Sequence, residues 1–322
     1  GGGGGGGGGV RTFPSESFPG FSIPLPAPAP PRRPNASVQR GRRSAAHQGG
    51  ASNLQAYASP EDMWAAEAGN GWYEKGVEYW ASAPATVDGV LGGYGRVAGT
   101  DALGSLAFAG RALKHLLGGG GTGGRVDGDR SRGRLAAADC GAGMGRVTRD
   151  VLSKLFDEVT LVEPVGKLLQ QARVELAPLA GGEGAKEFRF EERGLETFRP
   201  AAASLDVVWI QWCIGHLTDA DMVSFLGRCE KALRPGGRIV VKENNCREGF
   251  VVDKEDSSVT RSDSYFRELF KHSGLELFHC EVQGGLPKEL FAVRMYALGR
   301  PSEGTPGAGV KRKHPGGPGL LD

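Results

Sequence analysis

Residues 134–146 read RLAAADCGAGMGR, a short apolar run followed at once by three glycines. The run RLAAADC is typical of a buried strand, and the glycine-rich turn after it is typical of a strand-to-helix connection. Glycines at such a turn let the backbone approach a ligand closely at the carboxyl end of the strand. A turn that only packs a helix on a sheet has a similar composition, so the motif predicts a βα unit and leaves the ligand site open.

The stretch that follows, up to residue 299, alternates short apolar runs with amphipathic helical patterns. The predicted strands are EVTLVEP (158–164), KEFRFEE (186–192), LDVVWIQW (205–212) and RPGGRIVVKEN (234–244), and the predicted helices are VTRDVLSKLF (147–156), VGKLLQQARVEL (165–176) and DADMVSFLGRCEKAL (219–233). A last helix, SYFRELFKHSGL (264–275), precedes a predicted antiparallel pair, LELFHCEV (275–282) and LFAVRMYAL (290–298). Such alternation predicts an α/β fold with a doubly wound, Rossmann-like, mostly parallel sheet.

Composition divides the chain further. The Gly-, Pro- and Arg-rich arm at residues 1–59 and the tail at 301–322 are predicted to be disordered. One domain, residues 60–300, lies between them, and its parts are a helical segment (60–117), a flexible Gly-rich insertion (118–133) and the sheet (134–299).

Charge and cysteine usage limit the classes of partner. The formal charge is +2 for the whole chain and +5 for residues 1–50, which leaves −3 for residues 51–322. An acidic core argues against nucleic-acid binding, which needs a basic face, and suits a cationic substrate better. The five cysteines include no C-x-x-C pair, so no metal site is expected, and no apolar run of about 18 residues predicts a membrane span.

Two basic segments bear on location. The arm is rich in Arg and poor in acids, which fits an organelle transit peptide and equally a low-complexity tail. KRKH at 311–314 fits a nuclear address or a solvated charge cluster. We expect a cytoplasmic or nuclear monomer, with organelle targeting by the arm as the alternative.

The spacing around the glycine-rich turn narrows the choice of ligand. The turn has the pattern D-x-G-x-G-x-G, and Glu163 follows at the end of the second strand, where a carboxylate can accept both hydroxyls of a ribose. LRPGG at 233–237 introduces the fifth strand. Residues 134–299 therefore resemble class I S-adenosyl-L-methionine-dependent methyltransferases, which implies a seven-stranded sheet and that cofactor.

Motifs on both sides of this signature carry a closer resemblance. They are YEKGVEYWASAPATVDGVLGGYGR (73–96), DCGAGMGR (139–146), WIQWCIGHLTD (209–219), KENN (242–245) and VVDKEDSSVTRS (251–262). Five separated motifs in this order resemble the eukaryotic α-N-terminal protein methyltransferases, which methylate the exposed amino group of proteins that begin X-Pro-Lys/Arg. The resemblance runs from about residue 72 to 299.

The resemblance implies a set of cofactor-binding residues, namely Gly141, Gly143, Arg146, Glu163, Pro164, Val165, Leu195, Glu196 and Gln211. Three positions depart from better-known relatives. Glu163 stands where Asp is common, Glu196 where Gln is common, and Phe291 where Tyr is common. The first lengthens a ribose contact, the second adds charge near the adenine, and the third removes a hydroxyl from the substrate channel.

The resemblance also implies the residues of the peptide site. Substrate contacts fall to Leu91, Gly92, Trp212, Asp253, Ser258 and Phe291, and catalysis to His216, Asp256 and Asn244. An α-amino group has a pKa of about 8, so it must lose a proton before it can attack, and His216 or Asp256 can accept that proton. Asn244 would orient the amine, and the rigid indole of Trp212 suits a proline ring and a nearby cation.

Structural alternatives exist for most of these residues. Trp209 is interpreted as a core residue, and His216 alone would be explained as the start of a helix. Asp253 and Asp256 share one side of a turn or short helix, or belong to an exposed polar loop. By resemblance, LGGYG (91–95) belongs to a lid over the active site, which Tyr79 and Trp80 are expected to pack; otherwise it is a helix connector.

Two other functions stay open on the sequence alone. A methyltransferase for a small molecule or nucleic acid would share the cofactor motifs, although the N/D-P-P-Y/F/W motif of base amine methylation is absent. A catalytically silent module that binds the same peptides is the alternative that involves no enzyme activity.

Overall fold

The computed structural model describes residues 57–118, 133–181 and 184–301. The predicted disordered arm, except for residues 57–59, lies outside the described residues. So do the predicted flexible insertion, apart from its ends, and the tail beyond residue 301. All of the motifs that carry the resemblance lie inside the described residues.

Nine strands of the described residues form one mixed sheet. They are β1 (Ala136–Cys140), β2 (Glu158–Val162), β3 (Glu187–Glu191), β4 (Leu205–Gln211), β5 (Leu233–Cys246), β6 (Phe250–Asp253), β7 (Ser258–Ser262), β8 (Glu276–Val282) and β9 (Ala292–Gly299). Strands β3, β2, β1, β4 and β5 are parallel neighbours in that order. The antiparallel strand β9 lies beside β5, and β8 pairs with β9. The predicted doubly wound sheet of seven strands is confirmed.

A hairpin extends this sheet beyond the seven predicted strands. Strands β6 and β7 pair with each other, and β7 also pairs in parallel with the carboxyl end of β5, at Asn245 and Cys246. The sequence interpretation of this segment as a turn, short helix or polar loop missed both strands. Their runs have only four and five residues, too short for alternation to be distinguished from a loop.

Nine α-helices occur in the described part of the chain. They are α1 (Pro60–Glu67), α2 (Trp72–Ser82), α3 (Val87–Val90), α4 (Ala98–Ala112), α5 (Lys114–Leu117), α6 (Ser153–Leu155), α7 (Gly166–Leu176), α8 (Asp219–Ala232) and α9 (Asp263–His272). A π-helical turn, Thr148–Leu152, leads into α6. The first five confirm the predicted helical segment before the sheet. Ser59, Thr218 and Ser262 cap α1, α8 and α9 by accepting a backbone N–H in the first turn.

The sheet separates two apolar cores. Alternation along β4 sends Val208 and Ile210 to the core under α8 and α9, and Val207 and Trp209 to the core under α4 and α7. Every residue of β4 is buried, as expected for a central parallel strand covered on both faces. Trp209 is fully buried, which confirms its interpretation as a core residue.

A buried carboxylate attaches the first helix to the sheet. Asp219, at the start of α8, accepts a hydrogen bond from the Trp64 indole of α1 at 2.8 Å and is bonded to Arg261 of β7 at 2.8 and 2.9 Å. The Tyr265 hydroxyl of α9 also donates to Asp219. Arg261 is fully buried, so Asp219 supplies the counter-charge that makes this position tolerable.

Asp219→Asn is expected to lower the free energy of unfolding by about 3–5 kcal/mol, because Arg261 would remain buried without the carboxylate bonded to it. Urea unfolding measures the loss. The control is Glu289→Gln at the exposed Arg96–Glu289 pair, whose N and O atoms are 3.6 Å apart. That change should lower the free energy of unfolding by less than about 1 kcal/mol. If both variants lost the same free energy of unfolding, Asp219 would not be the counter-charge on which buried Arg261 depends.

Candidate active site

The carboxyl ends of β1, β2 and β4 border a cleft that opens to solvent and has about 1090 Å³ of empty space. All nine predicted cofactor residues line it, namely Gly141, Gly143, Arg146, Glu163, Pro164, Val165, Leu195, Glu196 and Gln211. Three predicted substrate or catalytic residues, Leu91, Trp212 and His216, line the same cleft. One continuous space therefore joins the predicted cofactor site to part of the predicted peptide site.

The three glycines of the turn have different roles. All three have left-handed backbone, with φ of 71° at Gly141, 55° at Gly143 and 81° at Gly145. A Cβ at Gly141 would lie 2.4 Å from the Cβ of Cys213, and one at Gly145 would lie 3.1 Å from Ala172 of α7. A Cβ at Gly143 would meet only Val90, at 4.0 Å. Packing explains Gly141 and Gly145, whereas Gly143 faces open cleft where a ligand fits.

Glu163 holds this turn in place. One carboxylate oxygen accepts the Gly143 N–H and the other accepts the Val165 N–H, both at 2.9 Å. Burial raises the pKa of Glu163 to about 7, although the two backbone donors act in the opposite direction. Each oxygen keeps a further lone pair, so the carboxylate can still accept the hydroxyls of a sugar.

A buried ionic network supports the opposite wall of the cleft. Asp101 of α4 pairs with Arg146 at 2.6 Å and with Lys242 of β5 at 2.5 Å, and it accepts the Gln211 amide at 2.8 Å. The Gln211 oxygen accepts the Trp209 indole N–H at 3.1 Å. Two predicted cofactor residues are therefore oriented by one carboxylate from the N-terminal helices.

Trp212 adopts a strained conformation at the end of β4. Its φ is 55°, a value uncommon for any residue except glycine, and its backbone N–H donates to the carbonyl of Lys242. The indole N–H is buried and has no hydrogen-bond partner in the described part of the chain. The Arg146 guanidinium lies 5.5 Å from the ring centroid. Strain of this kind is typical of functional sites, and here it turns the ring into the cleft.

His216 lies in the 3-10 turn Ile214–His216, directly after β4 and beneath helix α2. Its Nδ1 is 3.0 Å from the carbonyl oxygen of Ser257, and its Nε2 is 3.1 Å from the indole nitrogen of Trp80. Its own carbonyl accepts the Trp72 indole N–H at 2.7 Å. The interpretation of His216 as only the start of a helix is incomplete, because the side chain lines the cleft.

The segment that joins β6 to β7 carries Asp256, and Asp253 is the last residue of β6, directly before it. This segment is a hairpin turn and not a helix, so the turn alternative for Asp253 and Asp256 is the correct one. Asp256 is buried and accepts the Ser258 hydroxyl at 2.6 Å, whereas Asp253 is half-buried. Burial, followed by Asp256, Glu255 and Asp253, raises the pKa of Tyr79 to about 12. The turn is therefore an acidic surface facing helix α2.

The other predicted residues are not among those that line the cleft. These are Gly92, Asn244, Asp253, Asp256, Ser258 and Phe291. Asn244 is half-buried on β5, and Phe291 is half-buried just before β9. Gly92 follows α3 with a left-handed φ of 56°, next to Leu91, which does line the cleft.

Sequence reasoning missed three residues that shape the site. Asp101 gave no signal, because an acid in the first turn of a helix is ordinary. Glu243 appeared only within the KENN motif, yet its buried carboxylate accepts backbone N–H groups of Asn244 and Gly215, and burial raises its pKa to about 7. Trp80 was expected only to pack the lid, and its bond to His216 was not foreseen.

No cluster of His, Cys, Asp or Glu suited to holding a metal ion occurs among residues 57–118, 133–181 and 184–301. Across the same ranges no helix is long and apolar enough to cross a membrane.

Comparison with known proteins identifies the family. The family described as "AdoMet dependent proline di-methyltransferase" matches residues 68–299. The chain is 48% identical to the Alpha N-terminal protein methyltransferase 1 of Arabidopsis thaliana, over 75% of this chain and 87% of that protein. It is 39% identical to the N-terminal Xaa-Pro-Lys N-methyltransferase 1-B of Xenopus laevis, over 70% and 95%.

A solved structure agrees with the family match and with these two relatives. A SAM-dependent methyltransferase from Leishmania major is 38% identical and matches with a TM-score of 0.64, over 75% of this chain and 92% of that one. The match to the family spans helices α2 to α5 and the sheet, and residues of both line the cleft. The chain therefore belongs to the AdoMet-dependent proline di-methyltransferases, a family of S-adenosylmethionine-dependent protein N-terminal methyltransferases.

Proposed function

We propose that this protein methylates the free α-amino group of proteins that begin X-Pro-Lys or X-Pro-Arg. The observation that carries the proposal is the single cleft shared by the nine cofactor residues, His216, Trp212 and Leu91. A methyl donor and an amine can meet only where their sites are continuous. The Xenopus laevis relative is named for Xaa-Pro-Lys N-termini, which favours the same substrate class here.

The cleft suits S-adenosylmethionine, which supplies a methyl group on a positively charged sulfur. Gly143 leaves room where a side chain would intrude, and Glu163 has lone pairs for ribose hydroxyls. Arg146 lines the cleft as a cation bonded to Asp101, which favours the carboxylate of the cofactor's methionine part. Glu196 would lie at the adenine end, beside Leu195, and Pro164 and Val165 would contact the nucleoside.

We expect cofactor affinity to depend on the ionisation of Glu163. With a pKa of about 7, its carboxyl loses its charge as the pH falls, and the protonated form accepts hydrogen bonds less well. S-adenosylhomocysteine should therefore bind more tightly at about pH 8 than at about pH 6, by up to about ten-fold. Isothermal titration at the two pH values measures the difference.

Glu163→Gln should weaken binding and remove most of this pH dependence, because an amide offers one acceptor where Gly143 and Val165 need two. The matched control is Glu192→Gln, because Glu192 is exposed. This variant should change neither the affinity for S-adenosylhomocysteine nor its pH dependence. Burial also raises the pKa of Glu196 in the same cleft. A pH dependence that persists in Glu163→Gln would assign the effect to Glu196 and contradict the prediction.

The acidic turn supports recognition of a cationic N-terminus. Asp253 and Asp256 would attract the α-ammonium group and the Lys or Arg at the third position of the substrate. Ser258 already bonds Asp256 and would keep that carboxylate oriented. The proline ring at the second position would pack against Trp212, and Leu91, Gly92 and Phe291 would contact the rest of the peptide.

Peptides that begin Ser-Pro-Lys are expected to gain mass in steps of one methyl group when incubated with the protein and S-adenosylmethionine. N-acetylated peptides should not react, since an amide nitrogen has no basic lone pair. Mass spectrometry reads both outcomes. Equal rates on Ser-Ala-Lys peptides would contradict the role given to the proline and to Trp212.

Removal of the amine proton is assigned to His216 and Asp256, with Asn244 as an orienting residue. His216→Ala and Asp256→Asn should each lower kcat by about 100-fold, while affinity for S-adenosylhomocysteine changes little. The loss should shrink above about pH 8, where the amine has already lost its proton. Near-normal kcat at about pH 6.5 in the double variant would show that neither residue acts in deprotonation.

The proposal also covers the oligomeric state and partners of the protein, its location in the cell and its division into segments. We propose that the protein acts as a monomer and does not bind nucleic acid, in line with the acidic charge of residues 51–322. A cytoplasmic or nuclear location is proposed on composition alone. The division into an arm, one methyltransferase domain and a tail is proposed on the same basis.

A further inference from the structure

The hydrogen bonds around His216 define its tautomer. A carbonyl oxygen can only accept, so the 3.0 Å contact with Ser257 requires the proton to be on Nδ1. An indole nitrogen can only donate, so the 3.1 Å contact with Trp80 requires a lone pair on Nε2. His216 is thus a neutral imidazole whose acceptor nitrogen is already occupied.

Helix α2 brings Trp80 to this position through one continuous face. Trp72, Gly76 and Trp80 are spaced four residues apart and therefore lie on the same side of the helix. The Trp72 indole N–H donates to the carbonyl of His216, at 2.7 Å. A Cβ on Gly76 would be 3.7 Å from Nδ1 of His216 and 3.3 Å from the carbonyl oxygen of Asp256. The helix is therefore in close contact with both proposed proton acceptors.

The ring geometry makes the contact directional. The rings of Trp80 and His216 are 6.1 Å apart and nearly perpendicular, at 89°. The nitrogen-bearing edge of the indole meets Nε2, so the contact is a hydrogen bond rather than stacking. Trp80 is half-buried and lines the same cleft as His216, so a ligand in the cleft can reach both.

We propose that Trp80 competes with the substrate for the proton acceptor of methyl transfer: its indole N–H occupies Nε2 of His216 until the substrate amine replaces it. This inference rests on the proposed function, because it takes the α-amino group as the arriving donor. An ammonium donor forms a hydrogen bond roughly twice as strong as a neutral indole, so the exchange favours the substrate.

The proton transfer that follows is balanced within these groups. After the exchange, one N–H bond of the ammonium breaks and its electron pair stays on the amine nitrogen. The proton forms a new N–H bond at Nε2, which gives an imidazolium whose Nδ1–H still donates to Ser257. The amine then has the lone pair that nucleophilic attack requires, and solvent later accepts the proton from His216.

The test compares two single substitutions on the same helix. Trp80→Phe keeps an aromatic ring and removes the N–H at Nε2. Trp72→Phe removes an equivalent hydrogen bond to His216 but leaves Nε2 occupied, so it is the matched control. For Trp80→Phe the peptide KM should fall by about 3- to 10-fold, the effect of deleting one competing neutral hydrogen bond, with kcat changed by less than about two-fold. Trp72→Phe should not lower KM.

A spectroscopic measurement reads the exchange directly. The chain has five tryptophans, and Trp80→Phe deletes one indole N–H signal from the nitrogen–proton NMR spectrum, which assigns it. Addition of S-adenosylhomocysteine with a Ser-Pro-Lys peptide should shift this signal and accelerate its exchange with water, whereas S-adenosylhomocysteine alone should not. An unchanged signal in the complex with both ligands would overturn the proposal.

The kinetic outcomes separate this proposal from the function on which it rests. If the wild-type protein methylates the peptide and the two variants behave alike, Trp80 only anchors the helix and the inference is wrong. If the wild-type protein transfers no methyl group to the peptide, the proposed function fails, and the role of Trp80 fails with it.

Discussion

The carboxylate of Asp101 is the interaction on which the cofactor end of the cleft depends. Burial alone raises the pKa of this group, but Lys242 and Arg146 outweigh burial and hold the pKa below its ordinary value. Loss of one partner from such a buried cluster costs about 3–5 kcal/mol. Because Asp101 belongs to helix α4 and orients both Arg146 and Gln211, the N-terminal helices contribute directly to the cofactor site.

The same helices determine the environment of His216. Trp64 of α1 bonds Asp219, and Trp72 and Trp80 of α2 bond the backbone and side chain of His216. Helices of eight and eleven residues are not stable in isolation, so α1 and α2 depend on these contacts with the sheet. Helix α2 and the turn that carries His216 therefore stabilise one another, and movement of α2 changes which hydrogen bonds His216 can make.

The sequence was informative where chemistry and backbone geometry leave few choices. Parallel strands end at one edge of a sheet, so Gly143, Glu163 and Gln211 could be placed together from the order of strands alone. The hydrogen bond from the Gly143 N–H to Glu163 was not predictable, since it depends on the conformation of the Glu163 side chain. Asp101 and Trp80 are distant in sequence from the residues they bond, and no local sequence pattern predicts such contacts. The two short strands of the acidic hairpin were missed for a different reason: β7 pairs with β5 and β6 pairs with β7, and runs of four and five residues do not predict such pairing.

The acidic turn creates opposing demands for an amine substrate. Burial and then Asp256, Glu255 and Asp253 raise the pKa of Tyr79, and the field of these carboxylates would likewise favour the protonated form of an amine. The acids that would attract an N-terminus therefore also oppose the loss of its proton. A proton acceptor in direct contact with the amine overcomes this opposition, whereas distant acids only increase it. Asp256 is the buried member of the turn and His216 lies under the same helix, so under the proposed function these two residues are the candidates for that direct contact.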